Sequence, residues 1–153
     1  MQKLAAVLGR MAISLIFILS GIGKLLDWEG AQEKIVQMLT QFSACMGQES
    51  VQAFINNNLI PHATLLAVLA IICELGGGVL LFLGIRVRFA AFLVILFLVP
   101  TTIIFHGFWM VAGPDRDLQM IMFLKNLSIF GGLLTVLALG SGSSAAHKPK
   151  NPE

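Results

Sequence analysis

Each of the four apolar stretches of the sequence brings one ionisable residue toward its middle or predicted outer half: Lys24, Glu74, His106 and Lys125. An ionisable side chain in hydrocarbon is costly, so it usually faces a bundle interior or water and often belongs to a functional site. One carboxylate among three potential cations has the chemistry of an anion-binding or proton-transfer site. The headgroup of a quinone would also suit it, because its two carbonyls accept hydrogen bonds while its tail stays in lipid.

Glu74 lies near the middle of its apolar segment, where its side chain cannot easily reach the membrane surface. Gly77 and Gly78 follow at i+3 and i+4 on the same helical face, and glycines let a second helix approach closely. This pattern predicts a helix–helix contact at the two glycines and a Glu74 side chain that faces the bundle interior. The alternative is a protonated glutamic acid that is hydrogen-bonded for packing alone.

The other candidates lie nearer the predicted outer surface. On the expected helix, His106 shares a face with Trp109, so it is either a site residue or an interfacial histidine beside an anchoring tryptophan. Lys125 begins a small polar face with Asn126 beside it, although its long stem could instead extend its ammonium outward. We expect one cavity open toward the outer leaflet, with Glu74 at its inner end, about 15 Å deep. The candidate ligand-binding residues are Lys24, Glu74, His106, Trp109, Lys125 and Asn126.

The segments that must position these residues are long enough to cross a bilayer. The chain has 153 residues, of which 57% are hydrophobic and 12% charged, whereas soluble domains carry about 25% charged residues. A transmembrane helix needs about 20 mostly apolar residues, and the alternation typical of a membrane barrel does not occur. The sequence therefore predicts an all-α, polytopic membrane protein with a bundle of four transmembrane helices. The four segments are residues 4–23, 63–85, 89–109 and 118–139.

The longest connection, residues 27–61, joins the first two segments. Apolar residues recur in it at helical spacing, and three consecutive asparagines interrupt the pattern before Pro61. We expect one or two short helices that lie on the membrane surface or cap the bundle. Residues 1–140 then form a single transmembrane domain. Residues 141–153, which are rich in Gly, Ser, Ala and Pro, are predicted to be a disordered tail.

The distribution of lysine and arginine predicts the orientation of the bundle. With the N-terminus inside, six basic residues fall on the inner side and four on the outer side. The inner set is Lys3, Arg10, Arg86, Arg88, Lys148 and Lys150, and the outer set is Lys24, Lys34, Arg116 and Lys125. We therefore expect both termini in the cytoplasm and Cys45 on the outer side. No A-x-A site follows the first segment, so we expect a retained helix rather than a cleaved signal peptide.

Several other functions lack the residues they would need. The net charge of +2 is small and the basic residues are scattered, so no nucleic-acid partner is expected. Cys45 and Cys73 form neither a CxxC motif nor a zinc-binding spacing, so neither a dithiol site nor a metal site is predicted. Haem ligation by His106 would need an axial partner. The other histidines are His62 and the tail residue His147, so a haem site is not expected. No cofactor motif is recognisable.

Short motifs in these segments resemble those of the DoxX family of small bacterial four-helix membrane proteins. The motifs are Ser20-Gly21-Ile22-Gly23-Lys24-Leu25, Glu74-Leu75-Gly76-Gly77-Gly78, Leu83-Gly84-Ile85-Arg86, His106-Gly107-Phe108-Trp109 and Lys125-Asn126-Leu127 with Gly131-Gly132. Their order within four apolar segments makes the match specific, and it covers residues 4–27 and 62–140. The resemblance implies a bacterial inner-membrane protein. The family is named after a subunit associated with thiosulfate:quinone oxidoreductase, and some relatives are linked to oxidative-stress complexes.

Three functions are compatible with these residues and with the resemblance. The first is a membrane subunit or partner of a redox assembly linked to quinone or sulfur compounds, accessory to an oxidoreductase. The second is a small permease or binding protein for a weak acid or other solute, in which Glu74 relays a proton. The third is a non-catalytic structural or assembly factor whose polar residues only lock helix packing. The lipid bilayer is a partner in all three.

Overall fold

The computed structural model describes residues 2–140, and every regular element in that range is helical. Two π-helical turns, Ile55–Leu59 and Ile72–Gly76, and two 3-10 turns, Ile60–His62 and Phe108–Met110, connect or extend the α-helices. The α-helices are α1 (Gln2–Leu26), α2 (Trp28–Met46), α3 (Glu49–Phe54), α4 (Ala63–Ile71), α5 (Gly77–Leu83), α6 (Val87–Phe105) and α7 (Asp115–Leu139).

Four helical runs are long and apolar enough to span a membrane: Leu4–Leu26, Glu49–Leu83, Val87–Met110 and Asp115–Leu139. Large apolar side chains cover the outside of all four runs, where lipid rather than water would solvate them. They include Leu19, Leu65, Phe92, Leu96, Ile121 and Leu134. The predicted all-α fold with four transmembrane helices is confirmed. The tail predicted for residues 141–153 lies outside the described residues.

The connection between the first two spans is more helical than predicted. The asparagines at 56–58 do not interrupt the helix, because the π-helical turn Ile55–Leu59 and a 3-10 turn carry it on into α4. The Asn58 side chain donates to the carbonyl of Phe54 at 3.1 Å, and His62 Nδ1 lies 2.9 Å from the carbonyl of Asn58. The predicted interruption is wrong because the irregular turns keep the backbone helical through the asparagines, and these two side chains bond to carbonyls one turn earlier.

Helix α2 lies across one end of the bundle, called here the α2 end. Asp27 begins the helix by accepting a hydrogen bond from the Gly30 amide at 3.2 Å, a standard N-cap. Ile35 and Leu39 are buried against the start of α4 and the last turn of α6. Helix α2 therefore packs on the ends of the spans, in line with the capping alternative, whereas residues 49–61 belong to the second helical run.

The four spans surround an apolar core in the half of the bundle away from α2. Helix α1 packs along α5 and the turn Ile72–Gly76, and α7 packs along α6, whereas α1 and α7 contact each other sparsely. We call the opposite end of the bundle, where Arg86 and Arg88 begin α6, the arginine end. The buried core between it and Glu74 includes Phe17, Leu81, Val94 and Leu133.

Gly77 and Gly78 bring α5 against two neighbouring helices. A Cβ on Gly78 would lie 3.2 Å from Ile18 Cγ1 and 3.2 Å from Phe17 Cβ in α1. A Cβ on Gly77 would lie 2.8 Å from Val94 Cγ2 in α6. Both glycines are buried, so the predicted helix–helix contact is confirmed.

Candidate functional site

Glu74 lies on the π-helical turn Ile72–Gly76, between α4 and α5. A π-helical turn accommodates one extra residue, and such turns occur frequently at functional sites. The residue is only 2% exposed, and its carboxylate faces α1. Glu74 therefore faces the bundle interior, as its position among apolar residues predicts.

Lys24, in the last turn of α1, forms an ion pair with Glu74. Its Nζ lies 2.7 Å from Glu74 Oε2 and donates to Ser20 Oγ at 2.8 Å. The same ammonium lies 5.3 Å from the centre of the Phe97 ring, within cation–π range. The Lys24 side chain remains 27% exposed. The pair thus neutralises a buried carboxylate while leaving part of the lysine accessible.

Gly21 allows α1 to approach the helical turn that carries Glu74. A Cβ on Gly21 would lie 2.7 Å from Leu75 Cβ and 3.2 Å from Leu75 Cα. Real Cβ atoms essentially never come within 3.0 Å of such neighbours, so α1 crosses this turn at a distance that only glycine permits. Lys24 follows one turn later, which places its side chain beside the Glu74 carboxylate.

A cavity of about 670 Å³ adjoins the ion pair. Small-molecule sites typically measure about 300–1,000 Å³ and are mostly apolar with a few polar groups, and this cavity has that character. Its lining contains five of the six candidate residues: Lys24, Glu74, His106, Lys125 and Asn126. The structure therefore brings these five residues to one cavity, whereas Trp109 is not among the lining residues.

Asn126 and Lys125 belong to the α7 wall of the cavity. Asn126 is 7% exposed and donates from Nδ2 to Thr102 Oγ1 at 3.1 Å, while the Thr102 hydroxyl donates to the Leu98 carbonyl at 2.6 Å. Lys125 is exposed, and its Nζ lies 3.1 Å from Met122 Sδ, one turn toward the α2 end. Its ammonium therefore contacts the preceding turn of its own helix rather than the Glu74 carboxylate. Among the described residues, the cation paired with Glu74 is Lys24.

His106 connects the end of α6 to α7. It is the C-cap residue of α6, and its Nδ1 lies 2.9 Å from Gln119 Oε1. The Gln119 amide oxygen can accept a hydrogen bond here only when Nδ1 carries a proton. His106 is half-buried and lines the cavity near the α2 end.

Trp109 does not share a helical face with His106. That expectation is wrong because α6 ends at Phe105 and Trp109 lies in the 3-10 turn Phe108–Met110. The indole instead packs edge-on against Phe108 and Phe123, with ring centres 5.2 Å and 5.7 Å away.

Four residues outside the predicted candidate set hold the candidate side chains in place. Ser20 and Phe97 contact the Lys24 ammonium, Thr102 accepts from Asn126, and Gln119 contacts His106. The contact of Ser20 with Lys24 could be predicted from the sequence, because residues four apart are neighbours on a helix surface. A phenylalanine within an apolar segment gives no comparable signal.

The family model described as DoxX matches residues 5–107, which include Lys24, Glu74 and His106. The chain belongs to the DoxX family. Two relatives from Escherichia coli K12 cover most of it. Inner membrane protein YphA is 29% identical over 136 residues, or 89% of this chain and 83% of that protein. Inner membrane protein YqjF is 27% identical over 151 residues, or 99% of this chain and 95% of that protein.

The DoxX-family chain also resembles part of a eukaryotic protein. ER-derived vesicles protein ERV29 from Saccharomyces cerevisiae is 31% identical over 74 residues, which is 48% of this chain and 24% of that protein. No solved structure matches the chain. The names of these relatives state locations and no reaction.

Proposed function

We propose that this DoxX-family chain is an inner-membrane protein that binds the polar head of a membrane-soluble ligand in the cavity beside Lys24 and Glu74. The observation that carries the proposal is the partly exposed Lys24 ammonium, held at the cavity by a carboxylate that is itself 2% exposed. The two inner membrane relatives support the location. The basic residues support an orientation with both termini in the cytoplasm and the cavity toward the outer leaflet.

A quinone is the ligand class that best suits the cavity. Lys24 on α1 and Asn126 on α7 offer hydrogen-bond donors from different walls, which matches a ring with two carbonyl acceptors. The Phe97 ring adds an aromatic surface beside Lys24. Because Glu74 already neutralises Lys24, the pair favours a neutral acceptor over a free sulfur-containing anion.

The proposed entry route runs sideways from the lipid, between α1 and α7. The two helices approach closely near Gly132, where an added Cβ would lie 3.0 Å from Ile13 Cδ1. Nearer the α2 end, Ile16, Ser20 and Lys125 line the cavity instead. An amphiphilic ligand could therefore bring its head to Lys24 while its tail stays among the apolar side chains.

Binding is better supported than transport or a purely structural role. Buried apolar residues, among them Phe17, Leu81 and Leu133, fill the bundle between the cavity and the arginine end. A weak-acid permease would need a second arrangement that opens this core. A structural factor would not need a cavity of this volume beside an ion pair. We propose that the chain holds quinone as a membrane subunit or partner of a redox assembly that supplies or accepts the electrons.

Retention of native quinone tests this proposal. The protein would be extracted from membranes in polymer-bounded nanodiscs, and quinone per chain would be measured by mass spectrometry. Lys24→Gln should retain about tenfold less quinone than wild type, the equivalent of losing one hydrogen bond from a charged donor. The matched control Arg116→Gln also lies toward the α2 end but outside the cavity lining, so it should retain the wild-type amount. Equal quinone in all three, in proportion to the membrane content, would contradict the proposal.

A further inference from the structure

Charge is distributed unequally between the two ends of the bundle. Apart from Glu74, every carboxylate side chain in residues 2–140 belongs to α2, to the segments flanking it or to the first turn of α7. These residues are Asp27, Glu29, Glu33, Glu49, Asp115 and Asp117. The arginine end contains Arg10, Arg86 and Arg88 and, within the same described range, no carboxylate. Its positive charge is therefore not balanced by the residues that the structure describes.

A groove of about 550 Å³ lies at the arginine end, between the α5–α6 turn and the end of α7. Arg86 and Arg88 both line it, and both are exposed. Arg88 Nη2 donates to the Ala138 carbonyl at 3.1 Å, which fixes the guanidinium beside the groove. A guanidinium has five N–H donors, so this single bond leaves Arg88 able to bind an anion.

Arg10 adds a third guanidinium at the edge of this groove. A Cβ on Gly84, which lines the groove, would lie 2.7 Å from Arg10 Nη2. The Arg10 Nε is buried and has no hydrogen-bond partner among the described residues. A buried donor without an acceptor is costly. An anion bound in the groove would partly offset the positive charge of this guanidinium.

Arg86 holds its position at a conformational cost. Its φ of +43° is the one positive φ of a non-glycine residue in the described chain. Glycine would adopt this conformation without steric strain, whereas an arginine does not. The groove therefore contains an arginine where the backbone alone would favour glycine.

The surroundings of the groove are apolar and exposed. Leu83, Ile85, Phe89 and Leu139 each have about half or more of their surface exposed beside the arginines. Guanidinium groups next to exposed apolar side chains suit an amphiphile whose phosphate meets the arginines and whose acyl chains cover the flanks. A free phosphate would leave those flanks uncovered.

We propose that the groove at the arginine end binds the phosphate-bearing headgroup of an anionic phospholipid. Basic residues near an anionic leaflet gain favourable free energy, and Arg86 and Arg88 offer donors suited to phosphate oxygens. This site is separate from the cavity beside Glu74. Its ligand is a structural lipid, so the site does not depend on the quinone proposal.

Lipid titration of the purified full chain in detergent tests the site. Phosphatidylglycerol should raise the thermal unfolding temperature saturably, whereas phosphatidylcholine and inorganic phosphate at the same concentration should not. Arg86→Gly should bind phosphatidylglycerol about fivefold more weakly, as expected for losing one basic residue at an anionic surface. Arg116→Gln, which removes an arginine from the α2 end, should bind it as wild type does.

The Arg86→Gly variant keeps the test independent of folding. Because glycine relieves the strain at this φ, the variant should unfold in phosphatidylcholine at a temperature similar to or higher than wild type. Wild-type affinity for phosphatidylglycerol in this variant would overturn the proposal. Stabilisation by inorganic phosphate equal to that by phosphatidylglycerol would overturn the lipid assignment in favour of a soluble phosphate.

Discussion

At the scale of single residues, the pair of Lys24 and Glu74 sets the chemistry of the cavity. Glu74 is enclosed, while Lys24 is partly exposed to the cavity, so the two charges have unequal freedom. A buried charge that loses its partner is strongly destabilising, whereas replacing both charges by neutral groups is often tolerated. We therefore expect the substitutions of Lys24 and Glu74 to lower the stability of the protein by unequal amounts.

Removing one charge should cost more than removing both. Lys24→Met leaves the enclosed carboxylate without a partner, whereas Glu74→Gln leaves an ammonium that can turn toward the cavity. We expect Lys24→Met to be the least stable variant and the double variant to recover much of the loss. The coupling should be roughly 1–3 kcal/mol, in the range for charged neighbours, measured by chemical unfolding in detergent.

These two single variants and the double variant form a double-mutant cycle. Its control is Arg116→Met, which removes the positive charge of an exposed arginine. Its effect should be small and independent of the substitution at Glu74. If the effects of Lys24→Met and Glu74→Gln simply add, the ion pair does not contribute as the structure indicates.

The sequence could identify Glu74 but not its partner. A carboxylate in the middle of an apolar segment is conspicuous, because the energetic cost of burying it requires a reason. Three cations were available as partners, and the choice among them depends on how the helices rotate and cross. That geometry is set by Gly21 and by a π-helical turn, neither of which produces a distinctive hydrophobic pattern.

At the scale of elements, the close approach of α1 to the turn Ile72–Gly76 holds the site together. Gly21 lies at the crossing point, so a side chain there must displace the backbone or Cβ of Leu75. In lipid, helix association depends on such packing rather than on the exclusion of water. A methyl group at this position should therefore separate the two helices and lengthen the Lys24–Glu74 contact.

Gly21→Ala should destabilise the bundle by roughly 1–3 kcal/mol, the usual cost of overpacking a fitted contact. The matched control is Gly9→Ala on the same helix, where a Cβ would meet nothing within 4 Å. Since alanine is the better helix former, Gly9→Ala should be neutral or slightly stabilising. Thermal unfolding of the two variants in the same detergent checks the contrast, and equal stability would argue against a tight crossing at Gly21.

The helices themselves followed from hydrophobic patterning, but their irregular ends did not. Each of the four apolar segments became a span, because lipid-exposed backbone must be hydrogen-bonded within its own helix. Two local predictions failed: the asparagines at 56–58 continue the helix, and α6 ends before Trp109. The first depends on irregular helical turns, and the second on packing of Trp109 against Phe123; a hydrophobic pattern reveals neither.

At the scale of the whole molecule, an even number of spans places residues 2 and 140 toward the same side of the membrane. The arginine end carries unbalanced basic residues, and the α2 end carries most of the acidic ones. The excess of lysine and arginine on cytoplasmic loops then predicts that the arginine end faces the cytoplasm and that α2 faces outward.

Thiol labelling of intact spheroplasts checks this orientation. Cys45 on α2 is exposed, whereas Cys73 is half-buried within a span. A membrane-impermeant maleimide should label the wild type before lysis, and Cys45→Ser should abolish that labelling. Labelling of Cys45 only after lysis would reverse the orientation.

The central claim is that Lys24, held by Glu74, binds a quinone headgroup in the cavity, and equilibrium binding tests it most directly. A short-chain ubiquinone would be titrated into the purified protein in lipid nanodiscs, with empty nanodiscs as the background. We predict saturable binding of one quinone per chain by wild type and Arg116→Gln, and about tenfold weaker binding by Lys24→Gln. Uptake no greater than that of empty nanodiscs, or the same affinity in Lys24→Gln as in wild type, would contradict the claim.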